Sequence, residues 1–333
     1  MYFKTDAIVG SEKYLKTYNV FKLGDIAFEG HTNKEYSYGR FVENTIGDGI
    51  ISHIFDVFTP KINLDINFWK DLIKYEPIMG PILRRCTKAS RMMSNLTSKA
   101  FLEEKILCPT LEEQKLIGGF IVRLDKNITL HQRKLDHLNM KKKALLQKLF
   151  PKNGERYPEL RFSGFTDAWE QRKFVDLFEY ERPDAYIVKS DNYNDKFNMP
   201  VLTANKAFIL GYTNEKNSYD KPSIIFDDFT LDRKYVDFPY MLKSSAIKIL
   251  TSKSQHNLRF LFERLNATRF EVLGHARHYI SVVQNTTTLC PSIEEAVCIS
   301  NLLTKFDELL TLHQRKLEHL QLQKKALLQQ MFV

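Results

Sequence analysis

The chain has 333 residues, of which 43% are hydrophobic and 12% aromatic, enough for two or three folded domains and contrary to wholesale disorder. Lysine and arginine outnumber acidic residues by 49 to 40, and a pI near 9.1 favours a nucleic-acid partner. The cysteines Cys86, Cys108, Cys290 and Cys298 include no CxxC pair, which argues against a zinc knuckle and for reduced thiols. No run reaches the roughly 18 apolar residues of a membrane helix, so we expect a cytoplasmic protein.

Residues 1–108 read as a first globular domain of mixed α/β type. The segments 19–30 and 50–61 are rich in β-branched and aromatic residues and predict strands, whereas 68–76 predicts a helix. Glu103-Glu104-Lys105 resembles the end of a nuclease motif, but without a Pro-Asp strand beside it we interpret it as a charged surface.

Residues 109–150 predict one long helix. Thr110 is a suitable N-cap after Pro109, acidic residues follow it, and neither glycine nor proline occurs after Gly119. The predicted length of about 40 residues far exceeds the average helix of about 11. Lys141-Lys142-Lys143 could touch phosphates, although a solvated helix face is the more common role of such a run.

Residues 151–168 predict a polar connector, and residues 169–290 predict a second α/β domain. Short apolar runs at 186–189, 207–212, 222–229 and 244–250 predict strands, and 257–266 predicts a helix. Residues 291–333 then repeat the long helix. The stretches 108–150 and 290–332 align without a gap, 182 residues apart, and TLHQRKL occurs in both at 129–135 and 311–317. The chain therefore contains a duplicated module.

Both long helices carry apolar residues at alternating spacings of four and three, which is a coiled-coil heptad. The central seam positions are Ile128, His131, Leu135 and Leu138 in the first copy and Leu310, His313, Leu317 and Leu320 in the second. The polar seam residues His131 and Lys142 recur as His313 and Lys324; they either set the register or face solvent. Because a folded domain separates the copies, we predict that helices 111–150 and 293–332 pair antiparallel. The predicted fold class is α/β (α+β), with two globular domains and an antiparallel coiled coil.

Several blocks resemble the specificity subunits of type I restriction-modification enzymes. In the helices these are LEEQKLIGGF at 111–120, TLHQRKLDHL from 129 and KKKALLQKLF ending at 150; in the connector it is PELRFSGFTDAWEQRK at 158–173. Within the second domain, PVLTANKAFILGYT at 200–213, IIFDDFT at 224–230, YVDFP at 235–239 and RHYIS at 277–281 resemble a target-recognition domain of that family. The resemblance covers essentially the whole chain in the family's own order.

The resemblance implies a non-catalytic subunit whose two target-recognition domains each read one part of a split double-stranded DNA target. It also implies that the long helices set the unread gap and dock methyltransferase subunits, which restriction and translocase subunits then join. No block like the one ending at Lys173 precedes the first domain, so we expect that domain to be N-terminally truncated and the second to dominate recognition. The alternative is a coiled-coil assembly protein, or a silent cassette, that no longer reads a full target.

Motifs for chemistry are missing from the sequence. It has no Asn-Pro-Pro-aromatic methyltransferase motif and no GxxxxGK phosphate loop, and Gly47-Asp48-Gly49 reads as a turn. We therefore predict no cofactor, no metal and no enzymatic activity. Asp227-Asp228 could bind a metal but is more typical of a turn or structural pair, and His275 with His278 is a weak zinc candidate without further ligands.

The predicted DNA contacts lie in the second domain. One group lies at a strand end and carries donors and acceptors suited to base edges and phosphates, and the other is a polar-aromatic cluster; for each, a solvated loop is the alternative. These residues are Thr203, Asn205, Lys206, Arg277, His278 and Tyr279.

Overall fold

The computed structural model describes residues 15–89, 93–152, 154–204, 207–271 and 277–332. The chain divides into two compact units. The first comprises Met1–Leu135 and Leu312–Val333, and the second comprises Asp136–Thr311. Each unit therefore holds one globular domain and a part of each long helix.

Within the described residues, the globular part of the first unit contains small antiparallel sheets and the three short helices given below. Strand β1 (Asn19–Phe21) pairs with β4 (Gly49–Ile51). In a three-stranded sheet, β2 (Ile26–Glu29) lies between β3 (Arg40–Glu43) and β5 (Val57–Phe58). Strand β6 (Thr87–Ala89) pairs with β7 (Ser94–Leu96). The helices are α1 (Ile66–Leu72), α2 (Glu76–Cys86) and α3 (Ser98–Glu103). The predicted strands at 19–30 and 50–61 thus fall on β1, β2, β4 and β5.

An aromatic cluster fills the core of the first domain. The Phe41 ring contacts those of Phe28, Phe58 and Phe101 at centroid distances of 5.4, 5.9 and 4.5 Å. The contacts with Phe28 and Phe58 are edge-to-face, and such pairs add stabilisation beyond the buried area of the rings. Strands β2, β3 and β5 and helix α3 are held together by these rings.

The two long helices begin where the sequence predicts. Helix α4 spans Leu111–Leu149 and helix α7 spans Ile293–Met331, 39 residues each. The hydroxyl of Thr110 accepts a hydrogen bond from the Glu113 amide at 3.3 Å, and that of Ser292 accepts one from the Glu295 amide at 3.2 Å. The N-cap predicted at Thr110 is therefore confirmed, and Ser292 has the same role in the second copy; each satisfies an amide that the helix itself leaves without a partner.

In the first unit the amino-terminal part of α4 packs antiparallel on the carboxyl-terminal part of α7. Lys324 contacts Asp125 at 2.7 Å, and His131 contacts His313 at 2.9 Å between their Nδ1 atoms. The partner number falls along α7 as the number rises along α4, which defines the antiparallel direction. Phe332, just beyond α7, packs on Phe68 of α1 at a centroid distance of 5.3 Å.

Gly118 of α4 permits the close approach of α1 in this unit. A Cβ atom at position 118 would lie 2.5 Å from an Asp65 carboxylate oxygen and 2.7 Å from the Phe68 amide nitrogen. Asp65 is the N-cap of α1 and accepts a hydrogen bond from that Phe68 amide at 2.9 Å. Any side chain at 118 would therefore displace the capped end of α1 from α4.

The second unit contains a larger sheet system. The four-stranded sheet has the order β13 (Arg233–Val236), β12 (Ser223–Asp227), β15 (Ile247–Ser252) and β9 (Phe178–Glu181), with antiparallel neighbours throughout. The three-stranded sheet has the order β11 (Ile209–Thr213), β10 (Met199–Leu202) and β14 (Met241–Leu242). Strands β8 (Glu170–Lys173) and β16 (Thr287–Cys290) pair antiparallel, so the first and last strands of this domain meet. Helix α5 (Phe174–Leu177) follows β8, and α6 (Leu258–Ala267) lies at the predicted helix.

The helix ends and the connector share one core with the second domain. Phe150, just beyond α4, packs against Trp169 and Phe260, with both centroid distances 6.0 Å, and Ile299 and Leu303 of α7 join the same cluster. The packing of Phe150 on α6 repeats that of Phe332 on α1, because Phe150 and Phe332 are equivalent residues of the two repeats. The duplication therefore extends from the long helices to the way each domain docks on them.

Arg161 attaches the connector to α7. Its Nε and Nη2 atoms donate to the two carboxylate oxygens of Glu295, each at 2.8 Å, and Glu295 is buried. Glu295 in turn raises the pKa of Arg161 by accepting these bonds. A planar, bidentate pair of this kind fixes both position and orientation.

The predicted fold class is confirmed: mixed α/β domains accompany two long helices that pack antiparallel in each unit. No helix within the described ranges is long and apolar enough to span a bilayer. All four cysteines are free thiols.

Candidate functional site

Backbone hydrogen bonds join four loops of the second domain along one edge. Thr203 and Phe208 close the loop between β10 and β11, and Leu202 accepts a bond from the Lys243 amide. Asp228, after β12, donates to the Ala246 carbonyl and accepts from the His278 amide. The loops near residues 203, 228, 244 and 278 therefore form one continuous surface, which we call the loop edge.

Asp228 organises the centre of the loop edge from within the protein. Its Oδ1 accepts a bond from the Tyr279 amide at 2.8 Å, and its carbonyl oxygen lies 2.8 Å from His278 Nδ1. The Lys248 ammonium lies 3.6 Å from Asp228 Oδ2, and all four residues are buried. Because a buried carboxylate is tolerated only with such partners, this cluster fixes the position of the segment 277–281, which enters a short π-helix at Tyr279–Val283.

Two of the predicted DNA contacts lie inside the protein. His278 and Tyr279 are both 0% exposed, and they hold the loop edge together from inside instead of facing a ligand. Thr203 is nearly buried at the end of β10, whereas Arg277 is exposed beside the Asp228 cluster. Asn205 and Lys206 lie outside the described residues, as does His275.

The turn after β12 exposes residues that sequence reasoning did not single out. Asp227 Oδ1 accepts bonds from the amides of Phe229 and Thr230, and Leu231 adopts a φ of 60°. Left-handed backbone at a leucine is strained and persists only where surrounding structure enforces it. The turn presents Phe229 and Thr230 to solvent at the loop edge, as the segment 277–281 presents Ile280. The sequence signal that could have identified this turn is Phe229, a large apolar residue that follows Asp227-Asp228 at the end of an apolar run.

The predicted helix seam matches the burial along both helices. Leu135, Leu317 and Leu320 are buried, and the other five central seam residues, Ile128, His131, Leu138, Leu310 and His313, are half-buried. At His131, burial and the adjacent His313 lower the pKa of the imidazole below its usual value, with smaller contributions from Lys134 and Lys316. His131 contacts His313 of the opposite helix, and the burial of the other central seam residues is what the predicted pairing requires.

The two seam lysines form repeat-related ion pairs with the opposite helix. In the second unit Lys142 lies 2.5 Å from Asp307 and 3.8 Å from Glu263. In the first unit Lys324 lies 2.7 Å from Asp125 and 3.8 Å from Asp71. Asp125 and Asp307 are equivalent residues of the two repeats, and the sequence analysis did not identify them as partners.

The remaining polar candidates have structural roles. Asp227 forms a turn and Asp228 a buried anchor, and no group of three potential metal ligands occurs within the described ranges. Glu104 makes a bidentate contact with Arg85 at 2.9 and 2.5 Å, and this partner lowers the pKa of the carboxyl.

Comparison with known proteins identifies relatives along most of the chain. The family model described as "Type I restriction modification DNA specificity domain" matches residues 55–140 and 166–322. A 114-residue stretch is 43% identical to the type I restriction enzyme EcoR124I/EcoR124II specificity subunit of Escherichia coli, covering 32% of this chain and 28% of that protein. This match therefore spans less than a third of the E. coli protein. A putative type I restriction enzyme MjaX specificity subunit of Methanocaldococcus jannaschii is 22% identical over 336 residues, covering 92% of this chain and 77% of its own length.

Solved structures show the same fold at low sequence identity. The S subunit of a type I restriction-modification system from M. genitalium superposes with a TM-score of 0.64 at 13% identity, covering 95% of this chain and 84% of that one. A chain from a study of complex assembly and conformational transition of the type I R-M system gives a TM-score of 0.50 at 14% identity, covering 94% and 82%. Because the family model matches well over half of the residues, this chain belongs to the family of type I restriction-modification specificity subunits.

Proposed function

We propose that the chain reads a bipartite double-stranded DNA target, one part with each globular domain, and carries out no chemistry itself. The observation that carries this proposal is the duplication of a complete docking unit. Phe150 packs on α6 in the second unit as Phe332 packs on α1 in the first. A duplicated support for two different domains suits a protein that reads two different half-sites.

In the second domain, the loop edge is the surface that we propose for base contacts. Arg277 is exposed there, and it can donate two hydrogen bonds to a guanine. We retain Thr203, Asn205 and Lys206 as candidate contacts. His278 and Tyr279 have a positioning role in this proposal, because they anchor the loop on Asp228.

We further propose that the outer faces of the long helices dock methyltransferase subunits, which restriction subunits then join. Leu130 and its repeat equivalent Leu312 are exposed by 48% and 58%, and Met140 and its equivalent Leu322 by 68% and 66%. Repeated exposure of large apolar side chains at equivalent positions favours two similar partners. Replacing Leu312 with aspartate should weaken co-purification with methyltransferase subunits, whereas replacing exposed Lys316 with glutamine should not.

Selection from a random DNA library by the full-length chain tests the DNA-reading proposal. We expect two short enriched sequences at a fixed separation, and Arg277→Ala should relax only one of them. Enrichment of one continuous sequence, or of none, would contradict the bipartite target. The chain alone should also show no methyl transfer, ATP hydrolysis or DNA cleavage; any of these by the purified chain would contradict a non-catalytic role.

A further inference from the structure

A basic cavity lies in the second unit, away from the residues of the loop edge. It has a volume of about 900 Å³ and is bordered by the end of α4, the start of the connector, the end of α6 and strand β16. Four basic residues and one acidic residue line it: Lys152, Arg156, Arg264 and Arg269 against Glu155. We call this cavity the Arg264 groove.

Among the described residues, Arg264 in the lining of the groove has no carboxylate partner. The residue is 8% exposed. Its Nε and Nη2 atoms donate hydrogen bonds to the Thr288 hydroxyl at 3.1 and 2.6 Å. Its guanidinium group lies over the rings of Phe150 and Trp169. Within the described part of the chain, no acidic side chain comes within 4.0 Å of it. Burial lowers its pKa to about 10, which still leaves it charged at neutral pH.

Two half-buried guanidinium groups of the same unit are paired with acids. Arg161 contacts Glu295, and Arg259 contacts Glu263 and Asp307. A buried cation without an anion is unfavourable, and Arg264 is more deeply buried than either of these two arginines. The Arg264 side chain borders an open cavity, and an external anion in this cavity could pair with its guanidinium group.

Two exposed arginines extend the positive potential to the rim. Arg156 and Arg269 are exposed, and neither has an acidic partner within 4.0 Å among the described residues. Lys152 contacts Glu159 at 3.3 Å, so its charge is partly compensated. Three guanidinium groups around one cavity suit the tetrahedral oxygens of a phosphate group, which arginine binds with two parallel hydrogen bonds.

We propose that the Arg264 groove binds a phosphate group, and that its occupant is a backbone phosphate of bound DNA outside the bases that are read. This inference rests on the proposed DNA-reading function. A phosphate contact of this kind orients the duplex without contributing sequence information. It would set the register in which the loop edge meets the bases.

The salt dependence of DNA binding by the full-length chain tests the groove. Each lost phosphate contact reduces the slope of log K against log salt by about 0.9. The double variant Arg156→Ala/Arg269→Ala should therefore reduce this slope by about 0.9, the value for one phosphate, and weaken binding about tenfold at moderate salt. Glu155→Gln, which removes the acid from the lining, should strengthen binding. Lys305→Ala/Lys325→Ala removes two exposed charges from α7 outside the groove and should leave the slope unchanged.

The outcomes separate the groove from the proposed function. If wild-type protein binds DNA and the arginine double variant keeps its slope and affinity, the groove proposal is wrong while DNA reading stands. If that variant loses thermal stability while its slope is unchanged, the arginines stabilise the carboxyl-terminal ends of α4 and α6 by contacting their free carbonyl groups. This result would overturn the proposal. If wild-type protein binds no DNA, the proposed function fails. In that case saturable, Arg269-dependent binding of pyrophosphate would identify the occupant as a free phosphate compound and overturn the DNA assignment, and absence of such binding would overturn the site itself.

Discussion

Replacing Arg161 with alanine should destabilise the second unit by about 3–5 kcal/mol, because the change leaves the Glu295 carboxylate buried without its partner. At a separation of 2.8 Å and an effective dielectric constant of about 20, the charges attract each other by about 6 kcal/mol. Removing both charges from water opposes this attraction. We therefore expect a coupling energy of about 2–4 kcal/mol between the two side chains.

A double-mutant cycle with Arg161→Ala and Glu295→Ala measures that coupling. The chain has two tryptophans, Trp69 in the first unit and Trp169 in the core of the second. In a Trp69→Phe background, fluorescence during urea unfolding reports on the second unit, and each variant is compared in this background.

The exposed pair formed by Arg172 and Glu170, at 2.6 Å, provides a matched control. Its side chains are more than half exposed, so its coupling should be at most about 1 kcal/mol. Equal coupling energies for the buried and the exposed pair would refute the reasoning that burial gives the Arg161 contact its strength.

Three further predictions concern the helix pair, the loop edge and the core. The folded-state pKa of His131 lies below its unfolded value, so the unfolded chain binds more protons. The melting temperature should therefore fall as the pH drops through about 6.5. Replacing His131 and His313 with leucine should flatten this pH dependence of the melting temperature. Arg277→Ala should weaken specific DNA binding by about 1–3 kcal/mol with unchanged stability, whereas His278→Ala should lower stability, because only the second side chain is buried. Phe260→Ala should destabilise the second unit by about 3–5 kcal/mol in urea unfolding, since it removes a fully buried ring.

Each of these predictions has a control and a contrary result. His137→Gln changes an exposed histidine on the same helix and should leave the pH dependence of melting intact; an unaltered profile in the double leucine variant would exclude the histidine pair as its source. Equal DNA affinity for Arg277→Ala and wild type would remove Arg277 from the interface. Phe229→Ala, at an exposed ring, should cost less than about 1 kcal/mol, and a similar small loss for Phe260→Ala would contradict the assigned core.

The helix pairing could be predicted from sequence because it depends on periodicity. A seam repeated every seven residues in two copies identifies the buried face, and Leu135 and Leu317 are indeed buried. This periodicity could not predict that Asp125 and Asp307 form ion pairs with the seam lysines. Asp125 directly follows Leu124 and Asp307 directly follows Phe306, and only the actual rotation and offset of the two helices bring each carboxylate to the lysine.

The loop edge could be predicted only in part, since a polar residue in a loop can point either way. Arg277 and His278 are neighbours in sequence, yet one is exposed and the other is fully buried on Asp228. The anchor lies 50 residues earlier in the chain, so its role depends on long-range packing. The sequence shows which hydrogen-bonding residues a loop contains, but not which of them are buried and bonded within the protein.

The repeat-related ion pairs make the two helices self-complementary. Lys142 meets Asp307 in one unit and Lys324 meets Asp125 in the other, so each repeat carries both halves of the same contact. His131 faces its own equivalent, His313. Recombination between the two repeats would therefore exchange the globular domain that each helix supports while leaving every one of these pairs in place. New combinations of domains could arise in a single genetic step without any compensating change in the helices.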